Sequence, residues 1–582
     1  MSFDPQALRA KYRQERDRRI RPDGAAQYRG ARGEFGYYAT DPWTERAERD
    51  PRQDRVEAAV IGGGFGGLVT GAKLRDAGLD SVRMIDEAGD FGGTWYWNRY
   101  PGIHCDIESS VYLPLLEEVG TEPTWRYSPG EEIRQHAIAI ARHYDLYDDT
   151  MFHTRVTELR WHEDDAEWQV RTDRGDDFRA RYVIVSSGTL TQPKLPGIPG
   201  IETFRGHTFH TSRWDYGYTG EDLAGLKDKK VGVVGTGATG IQVIPRLAAE
   251  AQHLYVFQRT PSSVDVRDNR RLEPGWTAGL KPGWQRERMN NFLTVVTGGH
   301  ADEDLIGDGW TATAALQRTF LSGSRTELSD EELELADFAT MNRIRARVDD
   351  IVTDPVVAER LKPWYRYMCK RPTFSDFYLQ TFNRPNVTLV DTADTGGITA
   401  LTEHTVVVGD SEYDVDCLVF ATGFEVGISG IVSGTLPVHG RDGVPLLQSW
   451  AQGPRTLHGF SSHGYPNLFH LGSLQNASSV NFMHILTEQA THIGALVAEA
   501  RTRHARWIEP TAEAEQDWVA TIRANAMDNY RFQAECTPGY YNGEGKPRPV
   551  SNSYGPGPVA FHELLDKWRT GGGFDQVLAG AE

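Results

Sequence analysis

Two glycine signals constrain this 582-residue chain more than anything else in it. The first, Gly62-x-Gly64-x-x-Gly67, lies in "AAVIGGGFGGLVTGAKLRDAGLDSVRMIDEA"; the second, Gly235-x-Gly237-x-x-Gly240, lies in "KVGVVGTGATGIQVIPRLAAEAQHLYVFQRT". Each follows an apolar strand, opens an amphipathic helix and is followed by another strand, so each reads as a βαβ unit. Glycine there permits a tight turn, close approach of backbone to a pyrophosphate, and close packing of helix on strand. The helix N-terminus then faces the negative charge. Two such units predict an α/β fold with two Rossmann-like dinucleotide-binding domains.

The strand endings differ, and so do the nucleotides they suit. Asp86 and Glu87, about twenty residues beyond the first signal, can accept from ribose hydroxyls. Arg259 and Thr260 stand at the matching place after the second signal, where an arginine suits a 2′-phosphate that a carboxylate would repel. FAD in the first unit and NADPH in the second therefore describe a flavoprotein that takes hydride from a nicotinamide nucleotide. With no CxxC pair among the four cysteines, disulfide-reductase chemistry and a zinc site are both excluded from the reading.

Residues 1–54, rich in charge, read as a peripheral extension with a helix near Pro5–Ile20, either lying on the body or partly disordered. Residues 55–190 read as the first part of the FAD domain. Residues 191–385 read as the NADPH domain, with a helical insertion at about 265–360, where "SDEE" (Ser329, Glu332) and "DPVVAERL" (Asp354, Pro355) carry capping signals. Residues 386–582 are expected to return to the FAD domain through the strands "NVTLVD" and "YDVDCLVFATGF" and to end in a loop-rich cover, "TPGYYNGEGKPRPVSNSYGPGP". A balance of 62 basic to 81 acidic residues, net −19, argues against nucleic acid and anionic membranes as partners. No apolar run approaches the ~20 residues that span a bilayer. The N-terminus is charged where a signal peptide needs an apolar core. Widely spaced cysteines fit a reducing cytosol, so a soluble cytoplasmic monomer or homodimer is expected.

"GGTWYWNRYPGIHCD" (Gly92–Asp106) and "FRGHTFHTSRWD" (Phe204–Asp215, through Phe204, Gly206, His210, Trp214 and Asp215) then carry a resemblance. Both match long patterns of the Baeyer–Villiger monooxygenases, in the right order between the glycine signals, and the likeness runs from about residue 55 to 550. The family resemblance implies that NADPH reduces FAD, that O2 adds at flavin C4a, and that the peroxide anion attacks a ketone to give an ester or lactone. A peroxide anion needs a fixed cation. The resemblance assigns that role to Arg371 in "KRP", positioned by Asp106, and gives Lys370 to the 2′-phosphate beside Arg259. It also places Gly93, Thr94, Trp95, Tyr112 and Val156 at the flavin, and Thr236 and Gln242 at the nicotinamide nucleotide. Tyr540 stands where relatives carry a tryptophan in a loop over that nucleotide. "GSLQNASSVNFMHILTEQ" resembles the substrate-lining part, where Ala477, Ser478 and Ser479 beside Phe482 and Met483 suggest a roomy apolar pocket, and "CKRPTFSDFYLQTFNRPNVTLVD" resembles the members that act on bulky or polycyclic ketones, including those of terpenoid lactone pathways.

His207 and His210 are three apart, but no cysteine or acidic cluster converges on them. They read as scaffold, His210 as a hydrogen-bonded anchor between domains, rather than as metal ligands or a general base. Two rival functions remain: an N- or S-oxidising flavin monooxygenase, against which Arg371 and Asp106 speak, and an NADPH oxidase or non-catalytic flavin-binding protein.

Overall fold

The computed structural model describes residues 3–317, 329–425, 434–547 and 552–579. Part of the helical insertion and the stretch 548–551 of the C-terminal loop lie outside the described residues. Two sheets dominate. The larger runs Val438–His439, Val156–His162, Glu167–Thr172, Asp177–Val185, Arg55–Ile61, Val82–Ile85, Thr150–Met151, with Leu468–His470 also paired to Asp177–Val185. The second is a parallel sheet of five strands, in the order Val387–Asp391, His253–Gln258, Lys230–Val234, Cys417–Phe420, His207–His210.

Those strands are buried on both faces, which is why they read as continuous apolar runs rather than alternating ones. In Cys417–Phe420 the pleat sends Cys417 and Val419 into one core and Leu418 and Phe420 into another. Tyr182 and Ile184 likewise face away from Val183 and Val185. The helices Phe65–Asp76 and Phe482–Thr502 pack together over the larger sheet.

One expected boundary is wrong. "NVTLVD" and "YDVDCLVFATGF" do not return to the first domain at residue 386; Val387–Asp391 pairs with His253–Gln258, and Cys417–Phe420 pairs with Lys230–Val234. The chain rejoins the larger sheet at Val438–His439 and Leu468–His470. A uniformly apolar parallel strand carries no local mark of which sheet it completes, so this could not be read from pattern.

The capping signals are used. Ser329 and Glu332 form a reciprocal capping box at the start of Asp330–Ile351, and Asp354 caps Pro355–Leu361 through the amides of Val356 and Val357. The N-terminal extension lies on the body. Its helix, Pro5–Asp17, buries Tyr12, whose hydroxyl accepts from Arg345 at 2.9 Å. Its strand Tyr28–Gly30 pairs antiparallel with Lys194–Pro196. Among the described residues no helix is long and apolar enough to cross a membrane.

Candidate active site

The first glycine turn closes on itself. Gly62 has φ +115°, and a Cβ there would lie 2.2 Å from the carbonyl oxygen of Ser186; one on Gly67 would lie 1.8 Å from the oxygen of Gly62. Gly93, φ +53°, comes so near Gly64 that its Cβ would sit 2.6 Å from that Cα. Only glycine fits. The Asp86 carboxylate accepts from the amides of Gly63 and, at 2.7 Å, Ala88, so it pins the turn. Glu87 lines a cavity of about 450 Å³ together with Thr40–Arg46, His153, Arg155 and Asp173, so the N-terminal extension walls this end. The hydroxyl of Ser187, beside the turn, is buried without a hydrogen bond among the described residues. Thr94 opens the short helix Thr94–Trp97, and Trp95 donates its indole N–H to the Tyr112 hydroxyl at 2.9 Å. The Val156 side chain is packed in the core beneath the larger sheet, which leaves only its backbone for a ligand.

The second turn repeats the closure at Gly235 (φ +108°, Cβ 2.5 Å from the Ala421 oxygen) and at Gly240 (2.5 Å from the Gly235 oxygen), but nothing lies within 4 Å of a Cβ on Gly237. Open backbone at a helix N-terminus is the cradle a phosphate needs. Thr236 donates to the Thr260 carbonyl at 3.1 Å, and the Thr260 hydroxyl is buried with no partner among the described residues. Arg259 donates to Gln27 Oε1 at 2.5 Å and to Glu544 Oε2 at 3.0 Å. Lys370 makes no hydrogen bond or salt bridge among the described residues; burial, and then the charge of Arg259, lower its pKa to about 8. Both turns therefore fit dinucleotides on their own geometry, the second with cations where a 2′-phosphate would lie.

Gln242 bridges two elements. It donates to the His104 carbonyl at 2.9 Å and accepts from Tyr100 at 2.8 Å, tying the helix of the second unit to the Gly92–Asp106 segment. The two long patterns meet there too: Arg213 lies 3.7 Å over the Trp97 ring, and Tyr216 donates to the Arg99 carbonyl at 2.6 Å. They mark the seam between the domains.

Asp106 and Arg371 are joined across that seam. Arg371 donates through Nε and Nη2 to the two carboxylate oxygens, both at 2.8 Å, a fork-to-fork pair. Burial opposes the charge on both, but their mutual attraction outweighs it; the Asp106 pKa falls below its ordinary value and that of Arg371 rises well above. Pattern reading missed Trp310, whose indole donates to the Asp106 carbonyl at 2.8 Å while its ring lies 5.0 Å beneath the guanidinium. It also missed Arg267, a second, part-buried cation whose charge lowers the Asp106 pKa. Both lie in the helical insertion, where no motif announces them.

His210 is fully buried, and its Nδ1 accepts from the Ser212 amide at 3.2 Å. Burial, helped by Arg213, pushes its pKa down to about 3, so it is a neutral imidazole capping a turn. His207 pairs with Asp215 at 2.9 Å and stacks on Tyr218. Of the proposed substrate lining, Ala477, Ser479 and Met483 are buried, Ala477 and Met483 within the main core, so their small and flexible side chains fill packing space.

Two of the widely spaced cysteines are joined. Cys369, immediately before Lys370 and Arg371, is disulfide-bonded to Cys536, which begins the C-terminal loop. Cys105 and Cys417 are free and buried. Tyr540 follows on that loop, half exposed, its ring 4.4 Å from Tyr541.

Two dinucleotide cradles in separate sheets, joined by a carboxylate–arginine pair at their seam, define a flavoprotein oxidoreductase of the two-domain class. Residues 59–303 match the family model described as pyridine nucleotide-disulphide oxidoreductase. A Baeyer–Villiger monooxygenase of Streptomyces coelicolor is 60% identical, covering 98% of this chain and 96% of that one. Neopentalenolactone D synthase of Streptomyces avermitilis is 50% identical, covering 97% and 98%. The solved polycyclic ketone monooxygenase of Thermothelomyces thermophila superposes with a TM-score of 0.92 at 38% identity, covering 98% of each chain. The chain belongs to the Baeyer–Villiger monooxygenases. It is an NADPH-dependent flavin monooxygenase that inserts oxygen next to a ketone carbonyl, with FAD and NADPH as cofactors.

Proposed function

We propose that this enzyme converts a bulky cyclic or polycyclic ketone into its lactone, with Arg371 as the catalytic cation and Asp106 as the residue that positions it. The bidentate Asp106–Arg371 pair carries the reading, because it fixes a permanent positive charge between the two nucleotide cradles. When bound, FAD reduced by NADPH would activate O2, the source of the inserted oxygen. The guanidinium stabilises the negative charge that oxygen carries and that passes to the carbonyl as the adduct forms. Arginine keeps its charge on burial, where lysine would lose it. Asp106 and the Trp310 ring hold the planar head in one orientation, so the cation needs no reorganisation during reaction.

The flavin side is assigned to Gly62, Gly64, Gly67, Asp86, Glu87, Gly93, Thr94, Trp95 and Tyr112, with the backbone at Val156. The NADPH side is assigned to Gly235, Thr236, Gly237, Gly240, Arg259, Thr260 and Lys370, with Gln242 holding the seam and Tyr540 on the covering loop. Substrate size follows the relatives named for pentalenolactone and polycyclic ketones. We place the protein in the cytoplasm, where NADPH is at hand, as a monomer or homodimer.

Arg371→Ala is the test. NADPH should still bleach the flavin, while ester formation falls by at least about a thousandfold, in line with loss of a main electrostatic stabiliser; normal lactone yield would sink the mechanism. A panel of ketones from monocyclic to tetracyclic, scored by product rather than NADPH consumption, checks the size preference.

A further inference from the structure

The residue that the cations around Arg259 hold in this structure is a carboxylate. Glu544 is 5% exposed and receives the Arg259 guanidinium at 3.0 Å and the Tyr28 hydroxyl at 3.3 Å. Lys370 and Lys194 also feel its charge. The Lys194 ammonium itself lies 3.9 Å from the Tyr28 ring centre. The buried Glu544 anion is thus paired with Arg259, one of the two groups assigned to the 2′-phosphate.

The backbone that presents it is unusual. Gly543, Glu544 and Gly545 have φ of +60°, +59° and +88°, three consecutive left-handed residues. Glycine takes that conformation freely, whereas a residue with a Cβ does so at a cost, and such strain persists where the surroundings hold it. A glutamate between two glycines there points to a use for its side chain. The loop is anchored on both sides of Glu544: Cys536 is bonded to Cys369, and Lys546 donates to the Pro22 carbonyl at 2.9 Å.

We infer that Glu544 is an internal competitor for the 2′-phosphate of NADPH: it neutralises Arg259 when the C-terminal loop lies against the cradle, and the phosphate must displace it to bind. The inference rests on the assignment of Arg259 to that phosphate. Two anions beside one part-buried guanidinium repel each other, so each weakens the other's hold on it. Displacing Glu544 also breaks a contact of the loop that carries Tyr540 and Tyr541, so arrival of the phosphate is coupled to the position of the covering loop. A nucleotide lacking the 2′-phosphate meets no such competition, and gains nothing from Arg259.

Calorimetric titration of the oxidised, FAD-loaded enzyme tests this without turnover. Glu544→Gln should tighten NADP⁺ and the fragment 2′,5′-ADP by on the order of tenfold while leaving NAD⁺ unchanged, a coupling of ordinary size. Glu544→Asp, one methylene short of Arg259, should move in the same direction by less, and serves if the glutamine variant does not retain FAD. Weaker NADP⁺ binding in both variants, or an equal change for NAD⁺, overturns the competition and makes Glu544 a support for the loop. Arg259→Ala separates the two layers. Loss of the preference for NADP⁺ over NAD⁺, with no gain from Glu544→Gln, leaves the phosphate site standing and the competitor refuted. An unchanged preference in Arg259→Ala refutes both.

Discussion

The two nucleotide cradles share a glycine spacing and differ in what surrounds it. The flavin turn is closed by its own neighbourhood: Asp86 binds its amides, Gly93 presses on Gly64, and Gly62 and Gly67 leave no space for a methyl group. The second turn leaves Gly237 open and takes polar partners for Arg259 from both ends of the chain, the Gln27 amide from the N-terminal extension and the Glu544 carboxylate from the C-terminal loop. A cofactor that stays through many turnovers suits the first arrangement. One that enters and leaves in each cycle suits the second, because loop contacts break more easily than packed backbone.

Substituting single glycines is the strongest way to break that contrast. Gly67→Ala forces a Cβ to within 1.8 Å of a carbonyl oxygen. It should cost about 3 kcal/mol or more through overpacking of backbone against backbone, and the purified protein should lack flavin absorbance. Retention of FAD would show that the first turn is not as rigid as its contacts imply.

Acid should separate the halves next. His458, His470, His484 and His492 are all buried in the flavin half, and burial lowers their pKa values, to about 3 for His458 and His484, about 4 for His470 and well below normal for His492. In the unfolded chain these groups take protons near the ordinary histidine value of about 6.5. Depressed folded pKa values mean that this stability is complete above that pH and is lost as pH falls towards 4, by roughly 1 kcal/mol per group per unit. Flavin fluorescence should therefore rise, between about pH 6 and 4, before the far-ultraviolet signal collapses; simultaneous loss of both would argue that the halves unfold as one.

The smallest effect belongs to Gly237→Ala. With no atom within 4 Å of the new methyl group, the fold and flavin content should be unchanged. NADP⁺ binding should weaken several-fold as the methyl group crowds the phosphate path, about 1 kcal/mol. Stopped-flow measurement of flavin reduction against NADPH concentration would resolve it.

Much of this was legible from residues. Glycine spacing, strand endings and cap signals each have a local cause, and Ser329, Glu332 and Asp354 do what their spacing predicts. Asp106 and Arg371 are picked out by resemblance, since nothing local tells which arginine, 265 residues away, pairs with Asp106. Three features were hidden for physical reasons. The sheet joined by Val387–Asp391 and Cys417–Phe420 is decided by tertiary pairing of strands that look alike. Trp310 and Arg267 reach Asp106 from an insertion whose helices carry no pattern at the contact. The Cys369–Cys536 bond and the Arg259–Glu544 contact join loops to distant segments, and only three-dimensional closeness creates them.

The N-terminal extension has a consequence for how such enzymes are trimmed and compared. A version beginning at Arg55 would keep both glycine turns, both long patterns and the Asp106–Arg371 pair, so every motif would score as intact. It would nevertheless strip Gln27 from Arg259, Tyr28 from Glu544 and Lys194, and the Thr40–Arg46 wall from the cavity beside Glu87. A stretch without any motif thus touches Arg259, Glu544 and Lys194 and walls the cavity beside Glu87, and comparisons restricted to the motifs would discard those contacts.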